Sequence, residues 1–169
     1  MEIINTRRSV RKYNGEDVSK TEIEKIVKAA MQAPSARCQM PWEILVVTDK
    51  EKLTNCASRL LNTKMLEGAS FGLVFMTDLR ELKVPGMYPQ DLASSVTCAL
   101  LEARSLNIGS CWCGIYPNEE RMTVVREIFN INKEYLEPFA VVSFGYPQDE
   151  DAFKYIDRFN EKKVHYEEI

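Results

Sequence analysis

Residues 91–116, DLASSVTCALLEARSLNIGSCWCGIY, form the most informative stretch of this 169-residue chain. Small and apolar side chains recur there at helical spacing and predict a helix at the centre of the core: Leu92, Val96, Ala99, Leu100 and Ala103. We expect Gly109 to end this helix in the left-handed conformation. The segment 107–116 that follows is compatible with a short buried strand and equally with part of a binding site.

Helices and buried strands alternate on both sides of this stretch. The capping box Ser19-Lys20-Thr21-Glu22 predicts a helix that ends before Pro34. Asp49 and Asn118 are predicted N-caps of two further helices, and the first of these helices has the apolar face Leu53, Cys56, Ala57, Leu60 and Leu61. Strands are predicted over 43–48, 71–77 and 138–144. We therefore expect an α+β or mixed α/β fold, with helices covering a small sheet.

The length predicts one domain over residues 1–169, because a chain of this size supports a single large core. From residue 148 onward the sequence becomes polar, with scattered apolar side chains that a short tail cannot bury against itself: Phe153, Tyr155, Ile156, Phe159, Val164 and Tyr166. Residues 148–169 are therefore predicted to form a C-terminal arm that packs on a partner chain.

Composition excludes several functional classes. The net charge of −3 argues against a bulk nucleic-acid binder. Apolar runs are far shorter than the ~20 residues that a membrane helix needs, and no signal peptide is visible, so we expect a cytoplasmic protein. The odd count of five cysteines suits a reducing compartment. His165 is the only histidine, so a multi-histidine metal site is impossible within one chain and a histidine-dependent nucleophile is disfavoured.

Three segments carry groups that could do chemistry. Arg7-Arg8-Ser9-Val10-Arg11-Lys12-Tyr13 is either a solvated basic patch or an oxyanion site, since arginine forks match a phosphate. The proline-bounded loop 33–42 is either a simple helix stop or a ligand-binding loop. In the third segment, 107–116, Cys111 and Cys113 lack the further ligands of a metal site, but a thiol-redox role stays open as an alternative.

Taken together, these segments resemble the FMN-dependent nitroreductase family. The resemblance rests on Arg-Arg-Ser-x-Arg at 7–11, Ala-Pro-Ser-Ala-x-x-Gln-x-Pro-Trp at 33–42, Asn-Ile-Gly-Ser-Cys-Trp at 107–112, and a tail with Arg158 and Val164-His165-Tyr166. The order and spacing match from residue 3 to 166. Each motif alone is weak, but four in register make a specific signal.

The resemblance implies an α+β sandwich with a mostly antiparallel sheet, in a homodimer that exchanges its C-terminal arms and binds FMN at the subunit interface. It implies transfer of hydride from NADH or NADPH, through flavin N5, to a small electron-poor acceptor such as a nitroaromatic or quinone. No metal is expected, and no catalytic residue, because the flavin carries the chemistry.

The same resemblance assigns flavin-binding residues. Arg7 and Ser9 would meet the FMN phosphate or ribityl chain, Arg11 would meet the pyrimidine edge, and Arg8 is also expected to bind the cofactor. The partner subunit would supply Pro34, Ser35, Ala36, Arg37 and Gln39. The backbone of Cys113 and Gly114 would face N5 and O4, and Arg158 would return from the arm to the phosphate.

Two departures from the family pattern affect what the resemblance implies. Cys38 stands where many members have asparagine, so one polar contact to the flavin ring is missing or replaced. The chain is also short and lacks a helical insertion that often lines the substrate side. A related flavin dehalogenase or enone reductase, or a flavin-binding module without turnover, therefore stays open as an alternative.

Overall fold

The computed structural model describes residues 2–169, so Met1 of the predicted domain lies outside the described residues. Helices span Glu2–Thr6 (α1), Lys20–Met31 (α2), Lys50–Arg59 (α3), Tyr88–Ser105 (α4) and Glu119–Phe129 (α5). Strands span Trp42–Val47 (β1), Phe71–Asp78 (β2), Gly109–Gly114 (β3) and Leu136–Gly145 (β4). The predicted helices and strands are therefore confirmed with shifted ends, whereas α1 has no counterpart in the sequence prediction.

The four strands form one antiparallel sheet in the order β1-β2-β4-β3. Residues 71–77 of β2 are all buried, because β2 lies between two other strands and is covered on both faces. Leu73 and Phe75 face one apolar core, and Val74 and Met76 face the other. This accounts for a continuous apolar run in an antiparallel strand, where a sheet with one solvated face would alternate.

Helices cover both faces of the sheet. On one face α2 and α4 pack through Ile26, Ala30 and the fully buried Leu92, Val96 and Ala99. On the other face, α3 and α5 pack through side chains such as Leu53, Cys56, Val125 and Ile128. The predicted central helix is thus α4, and the α+β architecture with an antiparallel sheet is confirmed.

Two sequence predictions about local structure are wrong. Asn107 rather than Gly109 adopts the left-handed conformation after α4, with φ of 58°, which asparagine tolerates better than most residues with a side chain. Leu61 is 78% exposed, since α3 ends at Arg59 and the chain turns away before the predicted apolar face is complete.

The C-terminal residues extend away from the core. Phe153 packs against Arg104 at the end of α4, with 4.3 Å between the guanidinium carbon and the ring centre. Beyond it, residues 154–169 are all exposed, including the large apolar side chains of Tyr155, Phe159 and Tyr166. These side chains lie unburied in one chain, as the arm prediction requires, and their packing on a partner stays a prediction.

Candidate functional site

The N-terminal segment, residues 7–14, is fastened to the sheet by backbone pairing. Ser9 pairs in parallel with Ser110 of β3, and the Val10 amide donates to the Ser110 carbonyl at 2.9 Å. A Cβ atom on Gly109 would lie 2.7 Å from the Cβ of buried Val10. Gly109 is therefore needed for the close contact between the N-terminal segment and β3. Its role is this contact and not the end of α4.

Tyr13 holds the other end of this segment. Its ring packs on Gly145, and its hydroxyl donates to the Val10 carbonyl at 3.0 Å and lies 2.7 Å from the Ser143 hydroxyl. Burial raises the pKa of Tyr13, so the phenol stays protonated and the hydrogen bonds persist at ordinary pH. Between these two anchors the side chain of Arg11 remains exposed.

Three arginines gather at the start of the segment. Burial lowers the pKa of Arg7, and the nearby guanidinium groups of Arg158 and Arg8 lower it further. Arg8 donates to the carbonyls of Arg7 and Asn5, but its Nε is buried without a partner. The ion pairs within residues 2–169 are Lys50–Asp17, Arg59–Glu127 and Arg80–Asp78, so no carboxylate neutralises this arginine cluster.

Arg11 opens onto a cavity of about 470 Å³, which we call the β3 cavity. Its other lining residues are Asn62, Lys64, Met65, Cys111, Trp112, Cys113, Gly114 and Arg121. Three of the lining side chains are cationic, and none of those contributed by the described residues is acidic. The β3 cavity therefore favours a ligand with negative charge, which the three cations can face.

Two buried thiols stand side by side in the β3 cavity. Cys113 Sγ lies 3.6 Å from the Met65 sulfur and 3.8 Å from the Asn62 carbonyl. The pKa of Cys111 is lowered, first because the Cys113 thiol can donate a hydrogen bond to its thiolate, and also because Arg11 and Arg7 are near. All five cysteines are free, three of them buried, and within residues 2–169 no three His, Cys, Asp or Glu side chains converge as metal ligands.

The α2–β1 loop, residues 33–41, has a strained backbone. Arg37, Cys38 and Met40 have φ values of 49°, 50° and 46°, a conformation that costs a residue with a side chain roughly 1–2 kcal/mol. Asp91 of α4, which is buried, accepts hydrogen bonds from the Ala36 amide at 2.9 Å and from the Gln39 amide at 2.5 Å. Strained backbone of this kind persists only where surrounding contacts enforce it, and it clusters at functional sites.

Not all of the predicted site residues come together in one chain. Arg7, Arg8, Ser9, Arg11, Cys113, Gly114 and Arg158 lie along the N-terminal segment, the arm and the β3 cavity. Pro34, Ser35, Ala36, Arg37 and Gln39 do not line that cavity. The Gln39 amide is turned toward its own chain, where it bonds Asp91 and both backbone groups of Val84.

The sequence analysis missed four residues of the β3 cavity. It also missed Asp91, which holds the α2–β1 loop. Asn62, Lys64, Met65 and Arg121 reach the cavity from the turn after α3 and from the first turn of α5. Asn62 has a φ of 64°, and an asparagine just after a helix is the one signal that could have marked this turn. Asp91 could be noticed only as a buried acid at the start of an apolar helix.

A larger groove of about 620 Å³ lies between α2 and β1, lined by apolar side chains such as Val18, Ile23 and Val46. It contains none of the predicted site residues, and we assign the candidate site to the β3 cavity instead. No helix in the described residues is both long and apolar enough to cross a bilayer.

Comparison with known proteins shows which family the chain resembles in sequence and in structure. A model of the nitroreductase family matches residues 4–89 and 56–146. A protein of Archaeoglobus fulgidus, named as a proposed NADH dehydrogenase/NAD(P)H nitroreductase, is 44% identical over 169 residues, covering 99% of this chain and 97% of that protein.

Solved structures of related proteins have the same fold. A proposed NADH oxidase from Clostridium acetobutylicum superposes with a TM-score of 0.95 at 41% identity, covering 99% of both chains. An FMN-dependent nitroreductase from Clostridium difficile superposes with a TM-score of 0.88 at 28% identity, also over 99% of both chains. This chain belongs to the nitroreductase family and has its fold.

Proposed function

We propose that this protein is an FMN-dependent oxidoreductase that transfers hydride from NADH or NADPH to a nitroaromatic, quinone or similar electron-poor acceptor. The observation that carries the proposal is the arginine cluster of Arg7, Arg8 and Arg158, which stands beside the β3 cavity without a carboxylate partner. An FMN phosphate would neutralise the arginine cluster, and the flavin ring would occupy the β3 cavity. The names of the Archaeoglobus and Clostridium relatives support the same activity.

The residues present fit FMN on structural grounds. Arg8 carries a buried Nε with no partner, and such a donor gains free energy when a ligand oxygen accepts from it. The half-buried guanidinium of Arg7 and the exposed guanidinium of Arg158 would complete the phosphate contacts. The β3 cavity supplies Arg11 on one wall and the backbone of Cys113 and Gly114 on another.

FMN held by the arginine cluster and the β3 cavity would supply the hydride chemistry that links NAD(P)H to the acceptor. The protein's part is electrostatic: Arg11, held by the paired backbone on either side of it, would stabilise negative charge at the pyrimidine edge. Gly114 has no side chain, and a Cβ atom added to it would meet nothing within 4 Å, so this position leaves room for the ring to approach. No acid, base or nucleophile is required of the protein.

A homodimer is part of the proposal, with one domain per chain over residues 1–169. The arm leaves Tyr155, Ile156 and Phe159 exposed, and the α2–β1 loop is held in a strained conformation away from its own β3 cavity. In a dimer the arm would cover its apolar side chains on the partner, and Pro34, Ser35, Ala36 and Arg37 would approach the partner's flavin. Gln39 would act mainly by holding this loop, because its amide is already bonded.

The experiment that tests the activity starts from purified protein. We expect it to be yellow, to release FMN on denaturation at about one per chain, and to oxidise NADH or NADPH with a nitroaromatic or quinone acceptor. Acceptor reduction by flavin-free protein that is lost on Cys111→Ser would instead support a thiol-redox function. Bound FMN without turnover would support a flavin-binding module.

The test of the dimer is truncation after Gln148. The shortened chain should be monomeric or aggregated and without flavin, as measured by light scattering and absorbance. A soluble, yellow monomer would contradict the arm exchange.

A further inference from the structure

Arg121 lies in the wall of the β3 cavity that α5 contributes. Its backbone amide is fixed by the N-cap Asn118, at 2.9 Å, and its Nη2 donates to the Leu61 carbonyl at 3.1 Å. Its Nε, in contrast, is buried without a hydrogen-bond partner. The side chain is therefore held in place at its tip while one donor remains unused.

An unused buried donor on a charged group costs free energy, which a ligand acceptor would recover. The cost is increased by like charge, because Arg11 and Lys64 line the same cavity and none of the three forms an ion pair within residues 2–169. The cavity wall around these cations includes the side chains of Asn62 and Met65 and the thiols of Cys111 and Cys113. A ligand with negative charge would relieve all three cations at once.

We propose that Arg121 is a further cofactor-binding residue that favours the reduced state of the flavin. The inference rests on the proposed function, which makes FMN the occupant of the β3 cavity. Hydride transfer from NAD(P)H to neutral FMN gives NAD(P)⁺ and a reduced flavin with one more negative charge, and no other reactant is needed. A fixed cation in a partly buried cavity stabilises that added charge more than it stabilises the neutral oxidised ring.

The test compares Arg121→Gln, Arg121→Lys and a matched control in the flavin-loaded protein. Arg126→Gln is the control, because Arg126 is also on α5 and also donates to loop carbonyls, those of Lys133 and Glu134, but does not line the cavity. The dissociation constant of oxidised FMN and the two-electron midpoint potential, measured against a reference dye, together give the affinity for each redox state.

We expect Arg121→Gln to weaken the binding of reduced FMN about tenfold more than that of oxidised FMN. Such a change lowers the midpoint potential by about 30 mV for a two-electron couple. Arg121→Lys, which keeps the charge, should retain most of the wild-type potential, and Arg126→Gln should retain all of it. Equal weakening of both redox states would mean that Arg121 only shapes the cavity, and it would overturn the inference.

Folding is checked by thermal unfolding of each variant. If Arg121→Gln does not fold, Arg121→Met keeps the apolar stem without the charge and must give the same lowered potential. A wild-type protein that binds no FMN would overturn the proposed function and this inference together. A wild-type protein that binds FMN, with an unchanged potential in the uncharged variants, would overturn this inference alone.

Discussion

The N-terminal segment and the α2–β1 loop are both candidate flavin-binding segments, but they are held in different ways. The N-terminal segment is paired with β3 through backbone hydrogen bonds and is packed on two glycines, Gly109 and Gly145. The α2–β1 loop is held mainly by side-chain hydrogen bonds, those of Asp91, Gln39 and Ser35, and contains three residues in left-handed conformations. The first is an extension of the sheet, whereas the second is a strained loop held by side-chain hydrogen bonds.

The N-terminal segment and the α2–β1 loop also differ in whether their polar groups already have partners. The segment presents arginines that have no acidic partner, so its ligand must supply the negative charge. The loop has already satisfied its main polar groups internally, through Asp91, Val84 and the hydroxyl of Ser35. We infer that the segment contributes affinity and that the loop contributes shape. Substitutions in the segment should therefore reduce binding, and those in the loop should chiefly alter stability.

The largest expected effect is the loss of FMN affinity when a positive charge is removed from the N-terminal segment. The Arg7 side chain has a lowered pKa from burial and from its arginine neighbours, which marks it as a cation in need of an anion. Arg7→Ala should weaken FMN binding by roughly 1.5–3 kcal/mol, the range for hydrogen bonds to charged groups. Titration with FMN measures this, with Lys28→Ala on the exposed face of α2 as a control for the loss of one charge. Unchanged affinity in Arg7→Ala would refute the phosphate assignment.

The next effect concerns the backbone pairing of the segment. Gly109→Ala places a methyl group 2.7 Å from the Val10 Cβ, so the segment or β3 must shift. We expect a loss of about 1–3 kcal/mol in the free energy of unfolding, typical of overpacking. Denaturant unfolding measures it, and Gly68→Ala, where nothing lies within 4 Å, is the matched control. Equal stability of the two variants would mean that the segment is not fastened as described.

The sequence predicts the features that depend on nearby residues and misses those that depend on contacts between distant residues. The capping box at Ser19, the N-caps Asp49 and Asn118, apolar periodicity and the 71–77 run predict the helices and strands, because each depends on neighbours close in sequence. The conformation after α4 was assigned to Gly109 instead of Asn107, because the close contact that requires Gly109 involves Val10, far away along the chain. The roles of Asp91 and Arg121 depend on contacts across many residues, which no local pattern reports.

A smaller effect is expected at the anchor of the loop. Asp91→Ala leaves the Ala36 amide and the Gln39 side chain without their acceptor, which should cost about 1–2 kcal/mol. Hydrogen exchange should show faster exchange at the amides of Ala36 and Met40, and FMN binding to the segment should change less than in Arg7→Ala. A variant that loses FMN as completely as Arg7→Ala would show that the loop contributes affinity as well as shape.

The smallest effect distinguishes backbone strain from side-chain contact at Cys38. The thiol is exposed in this chain, and its φ of 50° disfavours most residues with a side chain. Asparagine tolerates this conformation, and Cys38→Asn should therefore recover part of the left-handed penalty and stabilise the fold by about 0.5–1 kcal/mol through the loop alone. Cys38→Ala, which keeps the steric penalty, should give no gain. If Cys38→Asn also tightens FMN binding or shifts its potential, the side chain at position 38 reaches the flavin ring. A gain in stability with unchanged flavin properties would confine Cys38 to shaping the loop, and a loss of stability would contradict the strain argument itself.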